Sequence, residues 1–145
     1  MTATPIDLFS SFLQLGADGQ VRAEKPAFDP RRENWQVMTF HVETDADVHG
    51  DHWEIHTLAD EVVSCLSGGI RLYLRPEGAE PGESAESAES GHGPGEGYEE
   101  EIKLSPGSAT IVPRGRWHRI ALDGPSDIMS ITLPRGSRLE KRATA

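Results

Sequence analysis

Two short stretches of this 145-residue chain place imidazoles and carboxylates at spacings that let them act together. The first is Asp51-His52-Trp53-Glu54-Ile55-His56-Thr57-Leu58-Ala59-Asp60-Glu61. Read as a strand, it puts His52, Glu54 and His56 on one face, because alternate side chains of a strand point the same way. Thr57 to Asp60 then reads as a tight connection. The run Glu61-Val62-Val63-Ser64-Cys65-Leu66 reads as a strand that pairs back antiparallel and sets Glu61 beside His56. Alternation puts Val63 and Cys65 on Glu61's face, so polar groups gather at one end and apolar ones lie deeper. The second stretch runs from Ser105 to His118, where Pro113-Arg114-Gly115 ends one strand and His118 opens the next, with Ile120 and Leu122 on its face. Three readings of such a group stand: a divalent-metal site, a metal-free polar pocket, or a hydrogen-bond cluster with a purely structural role. Without an ion, Glu54 and Glu61 would repel each other and call for a cationic partner.

The elements that must position these residues read as β structure. Val37-Met38-Thr39-Phe40-His41-Val42 and Ile70-Arg71-Leu72-Tyr73-Leu74 alternate; Ala109-Thr110-Ile111-Val112 stops at Pro113, and Ile128 to Leu133 stops at Pro134. Short runs bounded by Gly, Pro, Asp and Ser are the signature of a sandwich or barrel, not of a parallel sheet. Near the start, Phe12-Leu13-Gln14-Leu15 and Gln20-Val21-Arg22-Ala23 flank Gly16-Ala17-Asp18-Gly19, which suggests a hairpin; periodicity leaves a short helix over Asp7 to Leu15 as the alternative.

Glu54-Ile55-His56, four residues, Glu61, six residues, Gly68 resembles the first motif of the cupin superfamily, with Glu54 in the place of that motif's first His and Gly50 a loose match to its leading Gly. Gly107, Pro113, Gly115 and His118 match the second cupin motif in spacing, with Leu122 where the motif ends in Asn. The resemblance covers Gly50 to Leu122. It implies an all-β fold, a cupin-type double-stranded β-helix or jelly-roll barrel. Residues 1–34 are then an N-terminal extension packed on the barrel as strand or hairpin. Residues 35–134 form a single barrel with a flexible acidic insertion over 76–97, and residues 135–145 form a polar, frayed tail.

Carried over by position, the resemblance implies that Glu54, His56, Glu61 and His118 bind one divalent transition metal, Fe, Mn, Ni or Zn. Two imidazoles and one carboxylate suffice for a facial arrangement with open positions. Glu54 adds a second carboxylate, which makes the set harder and more anionic, or else it acts as a catalytic base beside the metal. The Trp53-Glu54-x-His56 variant also resembles a set of bacterial cupins with no assigned reaction. The function implied is a metal-dependent cupin acting on a small molecule, as an oxygenase or isomerase; the alternative is a non-catalytic small-molecule-binding module. The resemblance also implies a homodimer, with Phe9, Phe12, Leu13 and Leu15 as a sticky edge.

Other residues frame the site. His52 has the right parity but sits one step further out, at the rim or behind the ligands. Arg116 reads as a solvated side chain, with the alternative that it reaches the barrel mouth and holds a substrate carboxylate. His41 reads as a surface residue, His49 and His92 as loop residues without a function. Trp53 and Trp117 are expected on the outer side, under the N-terminal segment or a partner subunit. Cys65, the sole cysteine, has no basic neighbour in sequence to activate a thiolate and reads as core.

The formal net charge is −10, yet nine glutamates between Arg75 and Lys103 account for nearly all of it, leaving the body near neutral. With no basic stripe to neutralise phosphates, nucleic acid is not an expected partner. No apolar run approaches the roughly 18–20 residues of a membrane span, the first residues lack a signal-peptide pattern, and a single Cys allows no internal disulfide. The sequence therefore reads as soluble and cytoplasmic.

Overall fold

The computed structural model describes residues 3–76 and 99–143. The acidic insertion over 76–97 lies outside the described residues except for Pro76. Among the described residues eleven strands follow one another: β1 Phe12–Leu15, β2 Val21–Glu24, β3 Trp35–Val42, β4 His52–Ile55, β5 Glu61–Ser67, β6 Ile70–Leu74, β7 Glu100–Leu104, β8 Ser108–Val112, β9 His118–Leu122, β10 Ser126–Thr132 and β11 Arg138–Lys141. One 3-10 turn, Asp45–Val48, sits between β3 and β4.

The strands form two antiparallel sheets, one ordered β2-β1-β3-β10-β5-β8 and the other β11-β4-β9-β6-β7. Numbering β3 to β10 as one to eight gives the orders 1-8-3-6 and 2-7-4-5. That is the double-sheet jelly roll, in which successive strands cross from sheet to sheet. The fold class expected from the resemblance is therefore the observed one.

Alternation decides which side chains enter the barrel. In β10, Ser126, Ile128, Ser130 and Thr132 are buried while the residues between them are half-buried; in β6, Ile70, Leu72 and Leu74 are buried in the same rhythm. Val42, Val63, Cys65, Ile70, Leu72, Leu74, Leu104, Val112 and Ile128 make the main core. A fully buried Leu or Ile stabilises a fold by about 1.5–3 kcal/mol relative to exposure, so this cluster is ample for one small barrel. Gly68, the last residue of the first motif, sits at φ 82°. A Cβ there would lie 2.4 Å from the Pro125 carbonyl oxygen, so the tight β5–β6 turn requires glycine.

The N-terminal hairpin is present: β1 pairs with β2 and with β3, extending the six-stranded sheet. Phe12–Leu15 is thus strand and not helix, its edge satisfied on both sides. Ile6, Phe9, Val21 and Trp35 remain exposed. Three expectations need correction. β4 and β5 do not form a hairpin; they lie in different sheets, and the connection between them crosses the barrel. The C-terminal residues are not wholly frayed, because β11 pairs with β4 as an edge strand and Arg142 donates to the Gly50 carbonyl. Trp53 and Trp117 do sit on the outer side of the five-stranded sheet, but in a cluster with Ile55 and Tyr73. The N-terminal hairpin cannot cover them, since it extends the other sheet. The Arg75 guanidinium lies 5.2 Å from the Trp53 ring and 5.8 Å from the Trp117 ring, and that of Arg119 lies 5.3 Å from Trp53.

Candidate metal centre

Register brings the site together. Glu54 in β4 is the direct partner of His118 in β9 and, on its other side, of Leu139 in β11. Residues directly opposite on neighbouring strands share a face, so Glu54 and His118 point into the barrel side by side. His56 lies just beyond β4, where the chain starts its crossing. Its carbonyl accepts a hydrogen bond of 2.8 Å from the Gly115 N–H. Gly115 turns the chain at φ 80°, a left-handed conformation for which glycine carries no steric penalty. Beside it, the Arg114 N–H donates to the Asp60 carboxylate at 2.9 Å. The loops of the two motifs are thereby tied to one another. Glu61 opens β5 on the facing sheet and reaches the others across the barrel interior.

One donor atom from each of Glu54, His56, Glu61 and His118 lies within 4.8 Å of all the rest. Glu61 Oε1 is 3.2 Å from Nε2 of His56 and 3.2 Å from Nε2 of His118. Glu54 Oε1 is 3.7 Å and 3.6 Å from the same two nitrogens. The rings are 5.2 Å apart. Donor atoms about 2.1 Å from a common ion, at angles of roughly 90–109°, stand about 3.0–3.4 Å apart; the Glu61 oxygen meets this spacing to both imidazoles, and the Glu54 oxygen, at 3.6 and 3.7 Å, stands slightly wider. The Glu54 side chain is 27% exposed, against 7% or less for the other three, so it is the member open to the interior space.

Three of the four members are held from behind. Ser137 Oγ lies 2.7 Å from His56 Nδ1, and the Arg116 carbonyl accepts from His118 Nδ1 at 3.4 Å. Outer partners of this kind fix the ring and leave Nε2 for a metal. Thr132 Oγ1 donates to Glu61 Oε2 at 2.6 Å, occupying the oxygen that faces away from the imidazoles. His56 Nε2 is buried and makes no hydrogen bond of good geometry, its nearest acceptor being Glu61 Oε1 at 3.2 Å. A buried polar atom left in this way is costly unless something else binds it, and a cation among these four groups would.

Burial pushes the His118 imidazole down, and the adjoining carboxylates of Glu54 and Glu61 more than reverse this, lifting it to about 10. Burial likewise pushes Glu61 up, and its contacts with His118 and His56 outweigh this and hold the carboxyl well below the usual carboxylate range. In the absence of an ion, a protonated His118 therefore serves as the counter-charge for the two carboxylates.

The four residues singled out from spacing are brought together; two others are not. His52 has the same parity as Glu54, but its ring bonds the Asp51 carboxylate at 2.8 Å and stays outside the cluster. Arg116 turns away from the interior and donates twice to the Arg75 carbonyl, at 3.2 and 2.7 Å. His41 is a surface residue between Asp127 and Glu43. His49, given no function from the sequence, lines the cavity that opens above the cluster. Sequence reasoning passed over Ser137 and Thr132. The signal for Thr132 was available, since Ile128, Ser130 and Thr132 share a parity; for Ser137 there was only the Gly136-Ser137 turn after Pro134.

No family model and no curated protein matches the chain. Among solved structures, it is similar to a cupin-2 domain containing protein from Shewanella frigidimarina, at 18% identity and TM-score 0.45 over 75% of this chain and 83% of that one. It is also similar to hydroquinone 1,2-dioxygenase in complex with Cd2+ and 4-hydroxybenzonitrile, at 19% identity and TM-score 0.44 over 68% of this chain. A third is hydroxypropylphosphonic acid epoxidase from S. wedmorenis in complex with fosfomycin, at 16% identity and TM-score 0.44, again over 68% of this chain. The chain spans 57% and 43% of the lengths of the last two.

Proposed function

We propose that this cupin-type jelly roll is a metal-dependent protein that acts on a small molecule inside its barrel. Glu54, His56, Glu61 and His118 would hold one divalent transition ion, Fe, Mn, Ni or Zn. The observation that carries the reading is the convergence of the four donor atoms within 4.8 Å, with His56 Nε2 buried and making no hydrogen bond of good geometry. Hard oxygen ligands together with imidazole suit these ions and not Cu(I).

The bound ion would supply Lewis-acid polarisation of a substrate oxygen, or redox chemistry if it is Fe or Mn. The chain's own residues do the rest. Ser137 and the Arg116 carbonyl hold the two rings in orientation. Thr132 locks the far oxygen of Glu61, so that carboxylate cannot rotate out. Glu54 is the one member of the set exposed enough to exchange a proton with a molecule in the cavity, and its free oxygen is the candidate base.

A second reading is a binding module without turnover. It is favoured by the walls beyond the cluster, where Phe, Met, Val and Ile side chains predominate and Asp47 and His49 are the only further ionisable groups among the described residues.

Elemental analysis of protein purified without chelator tests the metal site. One ion per chain is expected, falling to near zero in His56→Ala and His118→Ala, while Leu72→Ala costs about 2–5 kcal/mol of stability and keeps its metal. Unchanged metal content in both His variants would sink the proposal. Retention of metal without conversion of any ligand that binds would favour the module.

A further inference from the structure

Two members of the cluster, Glu54 and Glu61, form the floor of a cavity of about 250 Å³. Met38 and Phe40 of β3, Val63 of β5 and Ile128 of β10 wall it from one sheet, and Ile120 of β9 from the other. Phe28 and Leu139, half exposed, stand at its rim. The ionisable side chains that line it are Glu54, Glu61, Asp47 and His49; among the described residues no Lys or Arg does so. The guanidiniums of Arg75 and Arg119 lie on the outer face of the sheet, over Trp53.

Charge and size together narrow the occupant. A carboxylate or phosphate entering here would face two carboxylates at the floor and one at the rim, with no Lys or Arg among the described lining residues to pair with. Burying an unpaired charge is costly, and like charges repel strongly at low dielectric. A divalent ion would bring the floor only to formal neutrality, because Glu54 and Glu61 cancel its charge, and would leave no surplus positive charge for an anion while Asp47 still lines the cavity. As to size, an engineered apolar cavity of about 150 Å³ accepts benzene, and pockets for drug-sized ligands begin near 300 Å³. A space between these limits suits one substituted ring.

We infer that the cavity takes an uncharged, mainly apolar molecule of about one substituted six-membered ring, with a single oxygen donor directed at the floor and no carboxylate or phosphate. The donor clause rests on the metal reading proposed above; the selection by charge does not. Arg116, which the sequence made a candidate for holding a substrate carboxylate, is engaged on the outer side by the Arg75 carbonyl, in keeping with a ligand that has none.

The test is a calorimetric titration of benzyl alcohol and of benzoate, a pair with the same ring and different charge, into metal-free and Zn-loaded protein, with metal content measured on the same samples. Benzyl alcohol is expected to bind at least about tenfold more tightly than benzoate, a difference of about 1.4 kcal/mol. Leu139→Arg places a cation at the rim, directly opposite Glu54 on the exposed edge strand, and is expected to raise benzoate affinity about tenfold, a thermal melt verifying the fold. Benzoate binding as tightly as the alcohol in the unmodified protein would overturn the inference, as would binding of neither ring by either form. A protein that takes no metal yet keeps the preference would defeat the metal proposal alone. One that takes metal and shows no preference would defeat the cavity inference alone.

Discussion

The five-stranded sheet has two faces with opposite chemistry, set by adjacent residues. In β4, Glu54 enters the barrel while Trp53 and Ile55 lie on the outside; at the start of β9, His118 enters while Trp117 lies outside. The inner face presents Glu54 and His118 toward Glu61 of the facing sheet and is apolar deeper in. The outer face is aromatic and cationic: Arg119 stacks 4.1 Å from the Tyr73 ring, and Arg75 lies over both tryptophans. Cation–π contacts of this kind contribute about 0.5–2 kcal/mol each, more when desolvated. The difference teaches how the strand ends that present ligands can be rigid without cations nearby to compete for the site. The guanidiniums brace the strands from behind, and the sheet itself separates them from the carboxylates.

If the two faces do separate jobs, damage to one should spare the other. The largest effect is expected from Trp53→Ala, which removes a buried ring from the outer cluster and should cost about 3–5 kcal/mol in denaturant unfolding. Below its melting transition this variant should still bind one metal per chain; loss of metal in the folded variant would show that the faces are not independent. Next comes Ser137→Ala, which frees His56 Nδ1 on the inner side. Metal affinity, measured by competition with a chelating dye, should fall about 10–100-fold, with little change in melting temperature. A large stability loss with unchanged affinity would reverse the assignment of Ser137.

The smallest effect, per pH unit, concerns His118. Its folded value of about 10 exceeds its ordinary value of 6.5. In the metal-free protein its ion pairs thus stabilise fully below pH 6.5, and that contribution fades as pH rises through about 10. A metal must displace this proton, so apparent affinity should rise up to about tenfold per pH unit between 7 and 9. Calorimetry in buffers of different protonation enthalpy should show one proton released per ion bound from this group. No proton release would mean that His118 is not a ligand.

Much of the inner face was legible in the sequence. Spacing and parity placed Glu54, His56 and Glu61 together, since a period of two states which face a side chain takes, and the resemblance to the cupin motifs added His118. That period does not state which sheet a strand joins. Thr57 to Asp60 reads equally well as a hairpin turn and as a crossing between sheets, so Glu61 was put beside His56 by the wrong route. β11 escaped notice because Arg138-Leu139-Glu140-Lys141 is short and charged, the composition that protects an edge strand. The cover of Trp53 was also hidden, since stacking of Arg75 and Arg119 is a tertiary contact with no sequence period. Thr132 was readable by parity but looked like an ordinary polar strand residue until Glu61 was seen across from it.

The contacts that hold the cluster span long stretches of chain. Ser137 and His56 are 81 positions apart, and Thr132 and Glu61 are 71 apart. Pairings so distant are entropically expensive to close and slow the folding of β-rich topologies. The ligands therefore converge only after both sheets have formed, late on the folding route. An ion that recognises all four would find few binding-competent chains before the rate-limiting step. It would hold the finished barrel closed, lengthening the lifetime of the native state while leaving the speed of its formation almost untouched.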